Sequence, residues 1–323
     1  MSRQATAVKQ ATAVWQTTQF LSVLDLSPAE LEACLQLAAS MKAARRAGRP
    51  HETPLAGRHV ALLFDKPSLR TRSTFMIAVR ELGGDVIEPP ADVALGGRET
   101  IEDVARNLER WVFGAVVRTF AQQRLERFAG AAPDLRVVNA LTDEEHPCQA
   151  LADCLTLVER WGSLAGRRIA FVGDGNNVAA SLAQAVAMLG GTVTVASPHG
   201  YELPQSVCEG IAAAARFGGG VSVTNDPIEA VADADAIYTD VWASMGQEEE
   251  AAERRTIFQP YQVNAALMAQ APETALFMHC LPAHRGDEVT DEVMDSPPSI
   301  VFDQSENRLH TQKALLALLA GCQ

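Results

Sequence analysis

The run Lys66-Pro67-Ser68-Leu69-Arg70-Thr71-Arg72 follows a short apolar segment, His59 to Phe64, and leads into a helical pattern. A helix start offers unpaired backbone N–H groups and the positive end of the peptide dipole, so it holds anions. Ser68 and Thr71 add hydroxyls there, and Arg70 and Arg72 can grip a phosphate through paired N–H donors. A capped helix with solvated arginines is the bland alternative. Two arginines, a lysine and two hydroxyls within seven residues favour phosphate. Further along, Arg118-Thr119-Phe120 ends a second apolar run, and His146-Pro147-Cys148-Gln149 opens a helix. A histidine there can polarise a carbonyl and a glutamine can bond both ways to a planar amide. A purely structural hydrogen-bonding role for that histidine competes with this reading.

The second half has its own polar segments. Gly173-Asp174-Gly175-Asn176-Asn177-Val178 sits between a strand pattern and a helix pattern, as a dinucleotide-binding turn does. Val178 replaces the third glycine of that fingerprint, so no nucleotide cofactor is expected. The consecutive asparagines suggest direct bonding to a zwitterionic ligand. Asp240 is either a buried cap or a carboxylate for a substrate ammonium. His279-Cys280 with His284 raises the question of a metal, but no second cluster of ligand spacing accompanies it, and the metal reading is disfavoured. Cys280 is a nucleophile or a soft wall of a pocket.

These segments need elements to position them. Ser27-Pro28-Ala29-Glu30 reads as a capping box opening a helix that ends near Gly48. Apolar runs at His59–Phe64, 114–118 and 136–140 read as strands, with helices from about Thr71 to Gly83 and at 101–111 and 122–129. The pattern repeats with strands at 168–172, 192–196, 221–223, 236–239 and 276–279. Alternating helices and continuously apolar strands indicate parallel sheets covered on both faces. The expected fold is α/β: two doubly wound domains, each a parallel sheet flanked by helices, joined by a linker helix at Pro147 to Trp161. Ligands in such sheets collect beyond the carboxyl ends of the strands, which is where these segments fall, three per half. They are expected to face one another across an interdomain cleft.

The 323-residue length suits two domains, and 47% hydrophobic with 21% charged residues is a globular composition. A formal net charge of -13 argues against a nucleic-acid scaffold or an anionic-membrane binder. Cys34, Cys148, Cys154, Cys208, Cys280 and Cys322 contain no CxxC pair and read as buried thiols of a reducing compartment. No apolar run is long enough to span a bilayer, and a cytoplasmic location is expected. The near-repeat of residues 4–8 and 10–14 is too short for a repeat architecture.

In combination, Ser68-x-Arg70-Thr71-Arg72, Arg118-Thr119-Phe120, His146-Pro147-x-Gln149, Gly173 to Asn177, Asp240-x-Trp242-x-Ser244-Met245-Gly246, His279 to Pro282 and Glu306-Asn307-Arg308 resemble the ornithine carbamoyltransferases. The resemblance runs from about Phe20 to the C-terminal helix. It implies transfer of a carbamoyl group from carbamoyl phosphate to the δ-amine of L-ornithine, with no metal or organic cofactor. By the same resemblance, a carbamoyl-phosphate-binding domain comprises residues 1–150 completed by a C-terminal helix at 305–323, and an ornithine-binding domain comprises 151–304. Ser68, Leu69 (by its backbone), Arg70 and Thr71 are then expected on the phosphate, with Arg308 approaching from the last helix. Arg118 and His146 polarise the carbonyl, while Gln149 and the Leu281 backbone orient the amide. Asn177, Asp240, Ser244 and Met245 take the ends of ornithine, and Cys280 positions the attacking amine and also borders the donor.

Two departures stand out. Many relatives have Thr at Leu69, where a backbone contact suffices. Ala94 stands where relatives place Gln or His reaching into a neighbouring subunit, and Arg98 is a candidate substitute. The resemblance implies a homotrimer or a higher assembly of trimers, and arginine metabolism in one direction or the other. Rival amines are putrescine, N-acetylornithine and aspartate. A nicotinamide-dependent oxidoreductase and a catalytically silent paralogue are the readings from other classes.

Overall fold

Nine parallel strands in two sheets organise the computed structural model, which describes residues 14–50, 52–95, 97–243 and 250–321. The chain divides into unit 1, Met1–Leu155 with Glu306–Gln323, and unit 2, Thr156–Ser305. Both divisions fall inside helices, Pro147–Trp161 and Val301–Gly321. Unit 2 is therefore inserted, in chain order, between two parts of unit 1.

Unit 1 carries β1 (His59–Phe64), β2 (Asp85–Ile87), β3 (Gly114–Arg118) and β4 (Arg136–Leu141), in the order β2-β1-β3-β4. The three longer strands are apolar over most of their length because helices cover both faces. Ala61, Leu63, Val117, Phe128 and Val137 belong to one buried cluster. β2 was not expected from the sequence. Its three residues alternate exposed and half-buried at the sheet edge, so they lack the apolar run that marks the others. The helix expected from about Thr71 begins two residues earlier, Leu69–Glu81, because the Ser68 side chain caps it by accepting the Thr71 N–H.

Unit 2 carries β5 (Arg168–Val172), β6 (Thr192–Ala196), β7 (Gly220–Thr224), β8 (Ala236–Thr239) and β9 (Leu276–His279), ordered β7-β6-β5-β8-β9. β7 runs one residue past the expected segment at each end, as an edge strand whose side chains are half-buried or exposed. Val172, Ile237, Phe277 and Val289 lie in its buried core. The helix Asn177–Met188 is buried on nearly every side, in keeping with its run of alanines and aliphatics.

In each sheet the chain winds outward one way and then returns to the other side of the first strand. Unit 1 therefore has a switch point between β1 and β3, and unit 2 has one between β5 and β8. Outside the carboxyl ends at such points the two connections diverge and leave a crevice. The Asp65–Thr71 and Arg118–Phe120 segments occupy the first point, and Gly173–Asn177 and Asp240 the second.

Among the described residues, no helix is long and apolar enough to cross a membrane. Cys34, Cys148, Cys154 and Cys280 are buried free thiols. Cys208 is only half-buried, a correction to the uniform burial expected, because its helix buries little beyond Ile211. Residues 4–13, Ser244, Met245, Gly246 and Cys322 lie outside the described residues.

Candidate active site

In unit 1 the Ser68-capped helix points its N-terminus at the switch point. Leu69, the first residue of the helix, is 78% exposed there. Thr71 is buried, and its hydroxyl accepts from Arg308 Nη2 at 2.6 Å. The other arm of that guanidinium, Nη1, donates to Gln149 Oε1 at 2.6 Å. Gln149 Nε2 in turn donates to Asp153 Oδ1 at 2.8 Å, which fixes the orientation of the amide and leaves one Oε1 lone pair for a ligand. Arg308 reaches this place because the Val301–Gly321 helix returns the chain to unit 1, with Asn307 Oδ1 accepting from buried Lys42 at 2.7 Å.

Arg118 ends β3 and His146 precedes the Pro147–Trp161 helix, and both are buried. Burial holds the His146 imidazole well below its usual range, and the Arg308 and Arg118 charges push it further the same way. The ring is therefore neutral at pH 7, so it can donate or accept a hydrogen bond without adding a third positive charge. Arg70 is half-buried on the first turn of the helix. Three guanidiniums (Arg70, Arg118 and Arg308), a neutral imidazole, an oriented amide and a helix N-terminus thus collect in unit 1. This set suits an anion joined to a carbonyl.

The next residues of the β1 loop hold the strand ends together. Buried Lys66 places Nζ 2.6 Å from Asp143 Oδ1 and 4.2 Å from the centroid of the Phe120 ring. Asp65 Oδ2 accepts from Thr119 Oγ1 at 2.7 Å.

In unit 2, Asp240 follows β8 and is buried. Its Oδ1 accepts from Cys280 Sγ at 2.9 Å and its Oδ2 from Asn176 Nδ2 at 3.0 Å. Asn176 also caps the Asn177–Met188 helix, its Oδ1 accepting from Val178 and Ala179 N–H. The resemblance singles out Asn177, whereas the bond to Asp240 is made by its neighbour Asn176. The signal was present, since the residue before a helix's first turn is its cap. Asn177 is half-buried on that first turn. Asp174 pairs with Arg254 Nη1 at 2.8 Å, and burial nevertheless raises its carboxyl. Arg254 also donates to the Trp242 carbonyl at 3.0 Å. The glycine between Asp174 and Asn176 is sterically required: a Cβ at Gly175 would lie 2.4 Å from the Leu203 nitrogen. That glycine lets the loop pack on residues 201–203, an alternative reason for the dinucleotide-like spacing.

Asp240, His279 and Cys280 offer ligand atoms within 4.8 Å of one another, so the metal question has a geometric basis. His279 Nδ1, however, accepts from the Leu281 N–H at 2.9 Å, and Nε2 faces Glu288 Oε1 at 3.2 Å. With Nδ1 accepting, Nε2 is the nitrogen that donates to Glu288, and both ring nitrogens are in use. Cys280 likewise donates to Asp240. Asp240 and Cys280 are bonded to each other and the His279 ring to Leu281 and Glu288, which suits a polar wall better than a metal cage. Leu281 adopts φ 58, a left-handed conformation that costs a non-glycine residue about 1–3 kcal/mol, and it precedes a cis peptide bond to Pro282. The turn directs the strand end away from β9 after Cys280.

Ala94 is buried, 8% exposed, in the unit 1 core beside Leu95, while Arg98 is exposed.

Comparison with known proteins finds two family domains in succession along the chain. The carbamoyl-phosphate-binding domain of aspartate/ornithine carbamoyltransferase matches residues 18–159, and the Asp/Orn-binding domain of the same family matches 165–319. The ornithine carbamoyltransferase of Symbiobacterium thermophilum is 51% identical over 302 residues, covering 93% of this chain and 97% of that one. The anabolic ornithine carbamoyltransferase of Pyrococcus furiosus is 48% identical, covering 93% and 96%. The solved ornithine carbamoyltransferase structure from that organism superposes with a TM-score of 0.90 over 94% of this chain and 96% of its own. The Thermus thermophilus structure does so with 0.84 at 42% identity, over 94% and 99%. By matches that span nearly its whole length, the chain belongs to the aspartate/ornithine carbamoyltransferase family.

Proposed function

We propose that this protein transfers the carbamoyl group of carbamoyl phosphate to the δ-amine of L-ornithine, giving L-citrulline and phosphate. The observation that carries the reading is the buried unit 1 cluster, in which a neutral His146 stands under the influence of Arg118 and Arg308 beside the Ser68-capped helix. In this reading unit 1 binds the donor. The N–H groups of Leu69 and Arg70, with Ser68, Thr71 and the Arg70 and Arg308 guanidiniums, hold the phosphate. Arg118 and His146 donate to the carbamoyl oxygen, and this bonding strengthens as the carbonyl becomes a tetrahedral oxyanion. Gln149 accepts from the carbamoyl NH2 through its remaining lone pair, and the Leu281 carbonyl does the same from unit 2.

Unit 2 binds the acceptor. Asp240 takes the α-ammonium, helped by Asn176, while Asn177, Ser244 and Met245 meet the α-carboxylate end. Cys280, held by Asp240, lies beside the attacking amine and the donor's amide, where it positions and desolvates rather than bonding covalently. The deprotonated δ-amine attacks the carbonyl carbon, the C–O bond to phosphate breaks, and the amine proton leaves with phosphate.

A homotrimer, or a higher assembly of trimers, completes the proposal. It is supported by the family resemblance and by exposed Leu69, Ile77 and Ile87 on and beside the phosphate helix, and sedimentation equilibrium tests it. A cytoplasmic setting fits the buried free thiols.

The deciding assay offers ornithine, putrescine, N-acetylornithine and aspartate in parallel with carbamoyl phosphate. Product from ornithine alone is expected. Product from another amine keeps the donor assignment and overturns the acceptor one, and tight NAD binding without transfer overturns both.

A further inference from the structure

Arg124, in the Gln122–Ala131 helix, has no place in the chemistry above, yet its guanidinium joins two segments far apart in sequence. Nη1 lies 3.4 Å from Asp65 Oδ2, and Nη2 donates to the backbone carbonyl of Leu95. Asp65 is the residue from which the phosphate loop starts. Its N–H donates to the Arg118 carbonyl at 2.8 Å, and the same carboxylate oxygen that faces Arg124 accepts from Thr119. Leu95 is anchored at the other end, its side chain buried in the same cluster as Leu63 and Val117.

We propose that Arg124 is a positioning residue for the donor half of the site, a clasp that fixes the Ala94–Leu95 turn to the root of the phosphate loop through Asp65. The role rests on the carbamoyl-transfer reading, but the clasp itself is a feature of unit 1 alone. Asp65 and Lys66 are adjacent and opposite in charge, and each pairs outward. Asp65 reaches Thr119 and Arg124 after β3, and Lys66 reaches Asp143 after β4, three residues before His146. The dipeptide thus ties the loop that carries Ser68 to the strand ends that carry Arg118 and His146. Arg124 extends that tie to a further turn. Freeing it leaves the Asp65 carboxylate with a single side-chain donor and the Leu95 carbonyl with none from this guanidinium. Small displacements of binding groups are felt strongly, because donor binding depends on several of them converging.

The test compares wild type with Arg124→Ala and Arg124→Lys, with Asp65→Asn as an independent break of the same clasp. KM for carbamoyl phosphate is expected to rise about tenfold in Arg124→Ala, with KM for ornithine and kcat within about threefold. Arg124→Lys, whose ammonium can serve one acceptor but not both in fork geometry, is expected to fall between the two. The second readout is tryptic cleavage after exposed Arg98, followed by fragment mass. It is expected to be severalfold faster in Arg124→Ala, and inorganic phosphate should protect the variant less than wild type. Should Arg124→Ala fail to fold, Asp65→Asn and Arg124→Lys carry the same comparison. A KM for carbamoyl phosphate within twofold of wild type, or an unchanged rate of cleavage after Arg98, overturns the clasp. A wild type that makes no citrulline overturns the carbamoyl-transfer reading instead, and the cleavage rate alone then decides the clasp.

Discussion

Replacing Asp240 by asparagine removes one negative charge and almost nothing else. In the free protein the carboxylate accepts from Cys280 Sγ at 2.9 Å and from Asn176 Nδ2 at 3.0 Å. The substituting amide can turn its oxygen to Asn176 and its NH2 to the Cys280 sulfur, which accepts weakly, so both neighbours keep a partner. Thermal stability should therefore change little. The acceptor loses a charge-assisted bond from its ammonium, worth about 1.5–3 kcal/mol. At 1.36 kcal/mol per factor of ten, this amounts to a rise of about 10- to 150-fold in KM for ornithine. Because Asp240 is proposed to touch only the acceptor, KM for carbamoyl phosphate should stay within about twofold. Initial rates measured with each substrate varied against saturating partner give both constants, with citrulline as the product followed. An equal rise in the two KM values, or an unchanged KM for ornithine, refutes the assignment of Asp240 to the acceptor.

Arg118→Ala should lower kcat by about 10²–10³, since the bond from Arg118 strengthens as the oxyanion forms; a change confined to KM for ornithine contradicts that role. The kcat profile should show no protonation step of His146 near pH 6.5, because burial and two guanidiniums keep the ring neutral below that pH, and a step at 6.5 abolished by His146→Gln would count against it. Burial works against the charge of Glu30, but amide donors from Gln16, Ser27 and Thr17 and the Ser27 hydroxyl prevail and bring its pKa from 4.5 to about 2. The resulting stabilisation is present above pH 4.5 and is lost as pH falls toward 2, so Glu30→Gln should narrow the difference between urea midpoints at pH 5.5 and pH 3. Gly175→Ala forces a Cβ against the backbone at Leu203 and should destabilise unit 2 by about 1–3 kcal/mol, read as a lower Tm with ornithine binding weakened too.

The strands that position the site were legible because parallel strands covered on both faces are written as unbroken apolar runs, as in Leu62–Leu63 and Ile169–Val172. β2 was not, since an edge strand of three residues has no such run. The Ser68 cap was legible because a serine just before a helical pattern is a preferred N-cap, the same residue type that anion chemistry uses. Asn176 was marked only as one of two consecutive asparagines, although the cap preference points to it. Arg308 was placed only through resemblance, because its bonds to Thr71 and Gln149 join residues more than 150 apart in sequence. The Asp65–Arg124–Leu95 clasp had no local signature either. Ion pairs between successive strand ends depend on sheet order, and sheet order is not a periodicity.

The insertion of unit 2 within unit 1 sets a schedule for biosynthesis. A ribosome makes β1 to β4 and the phosphate helix early, then must make all of Thr156–Ser305 before Arg308 exists. During that interval the nascent unit 1 lacks the guanidinium that bridges Thr71 and Gln149 and the long helix that carries it. The Thr71–Arg308–Gln149 bridge is therefore made only after unit 2, and a chain stalled or clipped before residue 306 would keep its strands while lacking that bridge. Unit 1 is thus complete only after unit 2 has been made, and not when its own sheet has emerged.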